Sequence, residues 1–128
     1  MSRSSFALTA AGITSLYHAA QYDTRALGDS LEFLNDQMRR VSRPEWRCHY
    51  FYWYGHYYAC QAMFITGGRW WENYWRTISN ELLETGTPFS QSKEGAWPNP
   101  VGPGRNFSTA VACIVLQVPF RYLPILQR

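Results

Sequence analysis

The stretch Cys48-His-Tyr-Phe-Tyr-Trp-Tyr-Gly-His-Tyr-Tyr-Ala-Cys-Gln-Ala-Met-Phe-Ile-Thr-Gly-Gly68 contains no Asp, Glu, Lys or Arg. It is long enough for a membrane span, so its reading decides the kind of protein this is. The run holds His49, His56, Gln61 and five tyrosines, and lipid offers no partners for so many polar groups. The consistent assignment is therefore a helix over about 49–66, buried against other helices of a soluble all-α protein with no transmembrane span. Gly67-Gly68 ends it, because glycine enters left-handed backbone without a Cβ clash.

Helical periodicity continues on both sides. Phe6, Ala10, Ile13, Tyr17 and Ala20 recur at steps of three and four, which predicts a helix over about 6–22. Asp23 or Thr24 caps a second over about 24–41, whose stripe is Leu27, Leu31, Leu34, Met38 and Val41. Ser42-Arg-Pro-Glu45 has capping-box spacing and marks a short turn before the charge-free helix. Trp71, Trp75, Ile78 and Leu82 place a fourth helix over about 70–84. Between Thr85 and Arg105 the period disappears amid four glycines and four prolines, so this segment is a loop. Asn106 or Ser108 then caps a fifth helix over about 106–118, stopped by Pro119. The whole chain, 1–128, reads as one domain: hairpins over about 6–41 and 49–84, the loop 85–105, the last helix, and an apolar tail.

Composition narrows the function. The 128 residues are 46% hydrophobic and 17% aromatic, enough for one real core. Charged residues are 16%, below the usual quarter or so. Eleven of the twelve basic residues are Arg, scattered from Arg3 to Arg128 without a run, so no nucleic-acid footprint is expected. Cys48, Cys60 and Cys113 are odd in number and lack Cys-x-x-Cys spacing, which argues for free buried thiols rather than a disulfide framework or zinc knuckle. The start lacks the continuous apolar segment of a signal peptide, and the default location is cytoplasmic.

Superposing the predicted helices aligns Thr9-Ala10, His56-Tyr57 and Thr109-Ala110, then Gly12, Ala59 and Ala112, then Leu16, Met63 and Leu116. The small residues would let neighbouring helices approach closely, as in a helical-hairpin repeat. Ahead of the fifth helix, Gln91-Ser-Lys-Glu-Gly95-Ala-Trp97 reads Gln-x-x-x-Gly-x-Trp. This resembles the QW repeat of the terpenoid cyclase and protein prenyltransferase superfamily, whose fold is an α/α toroid. Tyr57-Tyr-Ala-Cys-Gln-Ala-Met63, Gly67-Gly68 with Trp71 and Trp75, and Val118-Pro-Phe-Arg-Tyr-Leu-Pro124 are similar to bacterial prenyltransferase and squalene oxidase repeat proteins, in their carboxyl-terminal part. The resemblance implies a partial ring of about two and a half hairpins where a closed one needs about five to seven. It also implies that Gln91 satisfies a helix end while Trp97 lies buried over the same turn.

The superfamily's chemistry does not carry over residue by residue. Its cyclases protonate substrate with an aspartate-rich acid motif, whereas this chain offers Asp23, Asp29 and Asp36 without Asp-x-Asp-Asp. Asp29, Glu32 and Asp36 fall at helical steps and read as a solvated face. Its prenyltransferases hold zinc through Asp, Cys and His from separate repeats. Here His49, His56 and Cys60 share a helical face without a carboxylate or fourth ligand. No catalytic residue, cofactor site or metal site is assigned.

The remaining candidate is an apolar cavity lined by Trp53, His56, Tyr57 and Cys60, amid the aromatics of the third helix. Ring faces there could hold a hydrophobic ligand, and the resemblance makes that ligand isoprenoid. The expected function is a non-catalytic or incomplete terpenoid-cyclase-like module, a scaffold that self-associates, joins further repeats or binds a hydrophobic partner. The alternative is a carboxyl-terminal fragment of a triterpene cyclase or prenyltransferase-like enzyme whose acid or metal ligands lie elsewhere.

Overall fold

The computed structural model describes residues 5–22, 24–45 and 51–121. Among them are five α-helices, α1 (Phe6–His18), α2 (Thr24–Val41), α3 (Tyr52–Thr66), α4 (Gly68–Leu83) and α5 (Arg105–Gln117), then a 3-10 turn, Val118–Phe120. No strand occurs among the described residues, and the chain is all-α. Nor is any helix among them long and apolar enough to cross a membrane.

Four boundaries differ from the periodicity, each for a local reason. α1 stops at His18 instead of running to 22 because Ala20 takes a left-handed φ of 54°. The Ala20 N–H then donates to the Tyr17 carbonyl (3.1 Å) and the Gln21 N–H to the Leu16 carbonyl (2.9 Å), the paired bonds of a Schellman ending. α3 starts at Tyr52, with Phe51 at its N-cap; His49 and Tyr50 lie outside the described residues. α4 starts at Gly68, so a single residue, Gly67, joins α3 to α4 with φ 73°. α5 starts at Arg105 after Gly104 and has no side-chain cap. Asn106 and Ser108 therefore do not cap it, and Ser108 is used elsewhere.

The helices form two layers. In the first, α1 and α3 run parallel: Phe6 lies beside Gly55, Thr14 Oγ1 donates to the Tyr58 carbonyl (3.4 Å), and the Tyr17 and Thr66 hydroxyls bond at 2.8 Å. α3 contacts α5 on its other side, and the end of α5 reaches the α3–α4 connection, where Pro119 lies near Phe64 and Gly67. α5 thus runs the way α3 does. The second layer holds α2 and α4, also parallel, linked by Arg69 to Glu32 (3.3 Å) at one end and Ser42 to Glu81 (3.3 Å) at the other. Each α2 stripe residue from Leu31 to Val41 is buried, a contribution of roughly 1.5–3 kcal/mol per large side chain.

α3 is the hub. It touches α1, α2, α4, α5 and the 3-10 turn, which accounts for its lack of charge: a helix apolar all round belongs inside. Its closest approach uses Gly55, where a Cβ would fall 2.7 Å from Phe6 Cδ1. Ala59 and Ala112 are fully buried, whereas Gly12, superposed on them in the sequence, lies on the exposed face of α1 with nothing near it.

Candidate functional site

The four residues assigned to a cavity share one side of α3, but three of them are core. Trp53, His56 and Cys60 are each 2% exposed or less, and Tyr57 is half-buried. Trp53 meets Tyr52 edge-on, His56 meets Phe6 and Tyr52, and the Cys60 thiol donates to the Tyr57 carbonyl (3.2 Å). Burial pushes the Cys60 thiol up to about 12, so it is a neutral thiol at neutral pH and not an activated nucleophile. Among the described residues, four surface grooves are lined by other side chains, none of the four candidates among them. Cys113, expected to be buried, is exposed, and Cys48 lies outside the described residues.

Around His56 the structure assembles a polar knot that periodicity did not single out. Tyr52 and His56 are one turn apart on α3; Tyr74 and Glu81 are two turns apart on α4. His56 Nδ1 lies 3.1 Å from the Tyr74 hydroxyl, which also donates to the His56 carbonyl at 3.4 Å. With Nδ1 protonated, both bonds are satisfied and Nε2 is a lone pair without a partner. The Tyr52 ring sits 4.6 Å from His56 and stacks on Phe89 at 4.0 Å. Glu81 Oε2 accepts from Ser42 (3.3 Å), and the Tyr52 hydroxyl faces the Glu81 carboxyl, which it helps to hold as a carboxylate.

Burial sets the protonation of this knot. It drives His56 down from 6.5 to about 3 and Glu81 up from 4.5 to about 7, the latter tempered by Ser42 and Tyr52. At neutral pH the imidazole is uncharged and a large share of Glu81 carries its proton. The sequence held a signal for this acid: Tyr74, Ile78 and Glu81 follow steps of four and three, so Glu81 falls on the buried stripe of α4.

The Gln-x-x-x-Gly-x-Trp loop is ordered, with its roles divided differently from expectation. Trp97 is only 5% exposed in a segment rich in Gly and Pro. Its indole N–H donates to the Leu82 carbonyl (3.0 Å) in the last turn of α4. Its own N–H donates to Thr109 Oγ1 (3.1 Å) and its carbonyl accepts from Ser108 Oγ (2.6 Å), both on α5. Trp97, not Gln91, serves the helix end. Gln91 is exposed and donates to the Gly95 carbonyl (2.6 Å), closing its own turn, which Gly95 permits with φ 87°.

Asp29, Glu32 and Asp36 are exposed, Glu32 pairing with Arg69. Among the described residues no three His, Cys, Asp or Glu side chains gather closely enough to hold a metal ion. Comparisons of the chain with protein-family models, with curated proteins and with solved structures return no match.

Proposed function

We propose that this chain is an arc of helical-hairpin repeats of the terpenoid cyclase and prenyltransferase kind, non-catalytic by itself, whose open end receives a further repeat, a second copy or another hydrophobic partner. The observation that carries it is on α1. Leu8, Gly12 and Leu16, every fourth residue, form an exposed strip, with Leu8 at 66% and Leu16 at 39% exposure. α1 is in the same layer as α3, which is covered by parallel neighbours on both sides. One side of α1 takes α3; the Leu8–Leu16 side has the apolar character of a face that expects a neighbour.

Sedimentation over a wide concentration range tests this. Association or binding of a hydrophobic dye is expected for the parent, and loss of both for the Leu8→Glu, Leu16→Glu double variant, with its helical content retained. A parent that stays monomeric and binds no dye overturns the proposal. Turnover of squalene by the isolated chain overturns it in favour of an enzyme fragment.

A further inference from the structure

Between α2 and α4, in the layer away from α5 and the Gln-x-x-x-Gly-x-Trp loop, runs a groove of about 480 Å³. We propose that it is a binding site for a phosphate group, free or as a monoester, held between Arg39 and Arg76. This inference stands apart from the repeat reading.

The two helices are parallel, and their contacts fix the level of each residue. Glu32 meets Arg69 and Ser42 meets Glu81, separations of 37 and 39 residues. Between those rungs Asn35 stands level with Asn73, and Arg39 with Arg76; all four line the groove. Two asparagines and two arginines thus line the groove in successive rungs, one of each pair from each helix. Among the described residues none of these four side chains has a hydrogen bond, and the one ion pair, Arg69 with Glu32, involves neither arginine.

Two like charges at one level across a groove repel, and a bridging anion reverses that cost. The acids nearby do not supply it. Asp36 and Glu72 are exposed neighbours on the same helices, outside the groove lining and beyond ion-pair distance of either arginine. Glu81 is buried behind Ser42, outside the groove lining.

The chemistry selects the ligand class. Two guanidinium forks match the geometry and charge of a phosphate monoester, which carries about −1.5 to −2 at neutral pH, better than those of a carboxylate. Asn35 and Asn73 add uncommitted amide donors. Met38, Met63 and Tyr74 close the floor of the same groove but are 5% exposed or less, so the groove offers a phosphate its guanidinium and amide walls and no apolar platform beneath it.

Titration of the full chain with phenyl phosphate, inorganic phosphate and benzoate at constant ionic strength, followed by calorimetry and amide chemical shifts, tests the assignment. Saturable one-to-one binding of phenyl phosphate and of inorganic phosphate is expected, each about tenfold tighter than benzoate. Arg39→Gln and Arg76→Gln should each weaken it severalfold, with shifts on α2 and α4. Arg40→Gln and Arg43→Gln remove the same charge from exposed positions outside the groove and should leave it within about twofold. Absence of saturation, equal loss in all four variants, or preference for benzoate overturns the proposal.

Discussion

At the scale of single residues, Trp97 and Gln91 show what a motif does and does not reveal. The spacing marks Trp97 as special, and the indole is buried in a loop that composition alone would leave in solvent. It fills space and bonds both the end of α4 and the start of α5, so Trp97→Ala is expected to cost about 3–5 kcal/mol in denaturant unfolding. Trp97→Phe keeps most of the volume and loses the Leu82 bond, for about 1–3 kcal/mol. Gln91→Ala should cost under about 1 kcal/mol, since its one bond is at the surface. A Gln91 loss as large as that of Trp97 would refute this division of roles. Gln91's acceptor was not legible because an amide serves any carbonyl within reach. The buried acid at Glu81 was missed because a glutamate near a helix end reads as solvent-facing until its step from Ile78 is counted.

At the scale of the element, the helices themselves were legible because their apolar residues recur at the helical period, and α2 spans the expected residues throughout. Ends were less so. No turn residue announces the stop at His18, because an alanine occupies the left-handed position that glycine or asparagine usually fills. That conformation costs an L-residue about 1–2 kcal/mol, part of which glycine's larger unfolded-state entropy offsets. Ala20→Gly should therefore raise stability by roughly 0.5–1 kcal/mol, read as a higher melting temperature with unchanged helical content. A lower melting temperature would show that Ala20 is not left-handed. The facing of α3 was illegible for a different reason. A helix apolar round its circumference gives no periodic hint of which side meets which neighbour, so Trp53, His56, Tyr57 and Cys60 could be read as cavity lining when three of them are core.

At the scale of the whole molecule, the polar knot links α3 to α4 and ties global stability to pH in opposing directions. His56 titrates near 6.5 when unfolded and near 3 when folded, so the unfolded chain holds the extra proton between those values and acid weakens the fold there. Glu81 moves from 4.5 to about 7, so between those values the folded chain holds the extra proton and acid strengthens the fold. From 6.5 down to 4.5 the two contributions cancel. Below 4.5 His56 acts alone, lowering stability by about 1.4 kcal/mol per pH unit until its folded value is reached. Glu81→Gln removes the opposing contribution, so its stability relative to the parent should begin to fall near 7, the folded Glu81 value, and lie about 2–3 kcal/mol lower by pH 4.5 than its offset at neutral pH. His56→Gln should do the reverse, gaining relative to the parent on acidification from 6.5 toward 3. Urea midpoints at several pH values measure all three proteins. Parallel profiles for the parent and both variants would mean that His56 and Glu81 titrate as they do in the unfolded chain, which their burial in the two-layer core forbids.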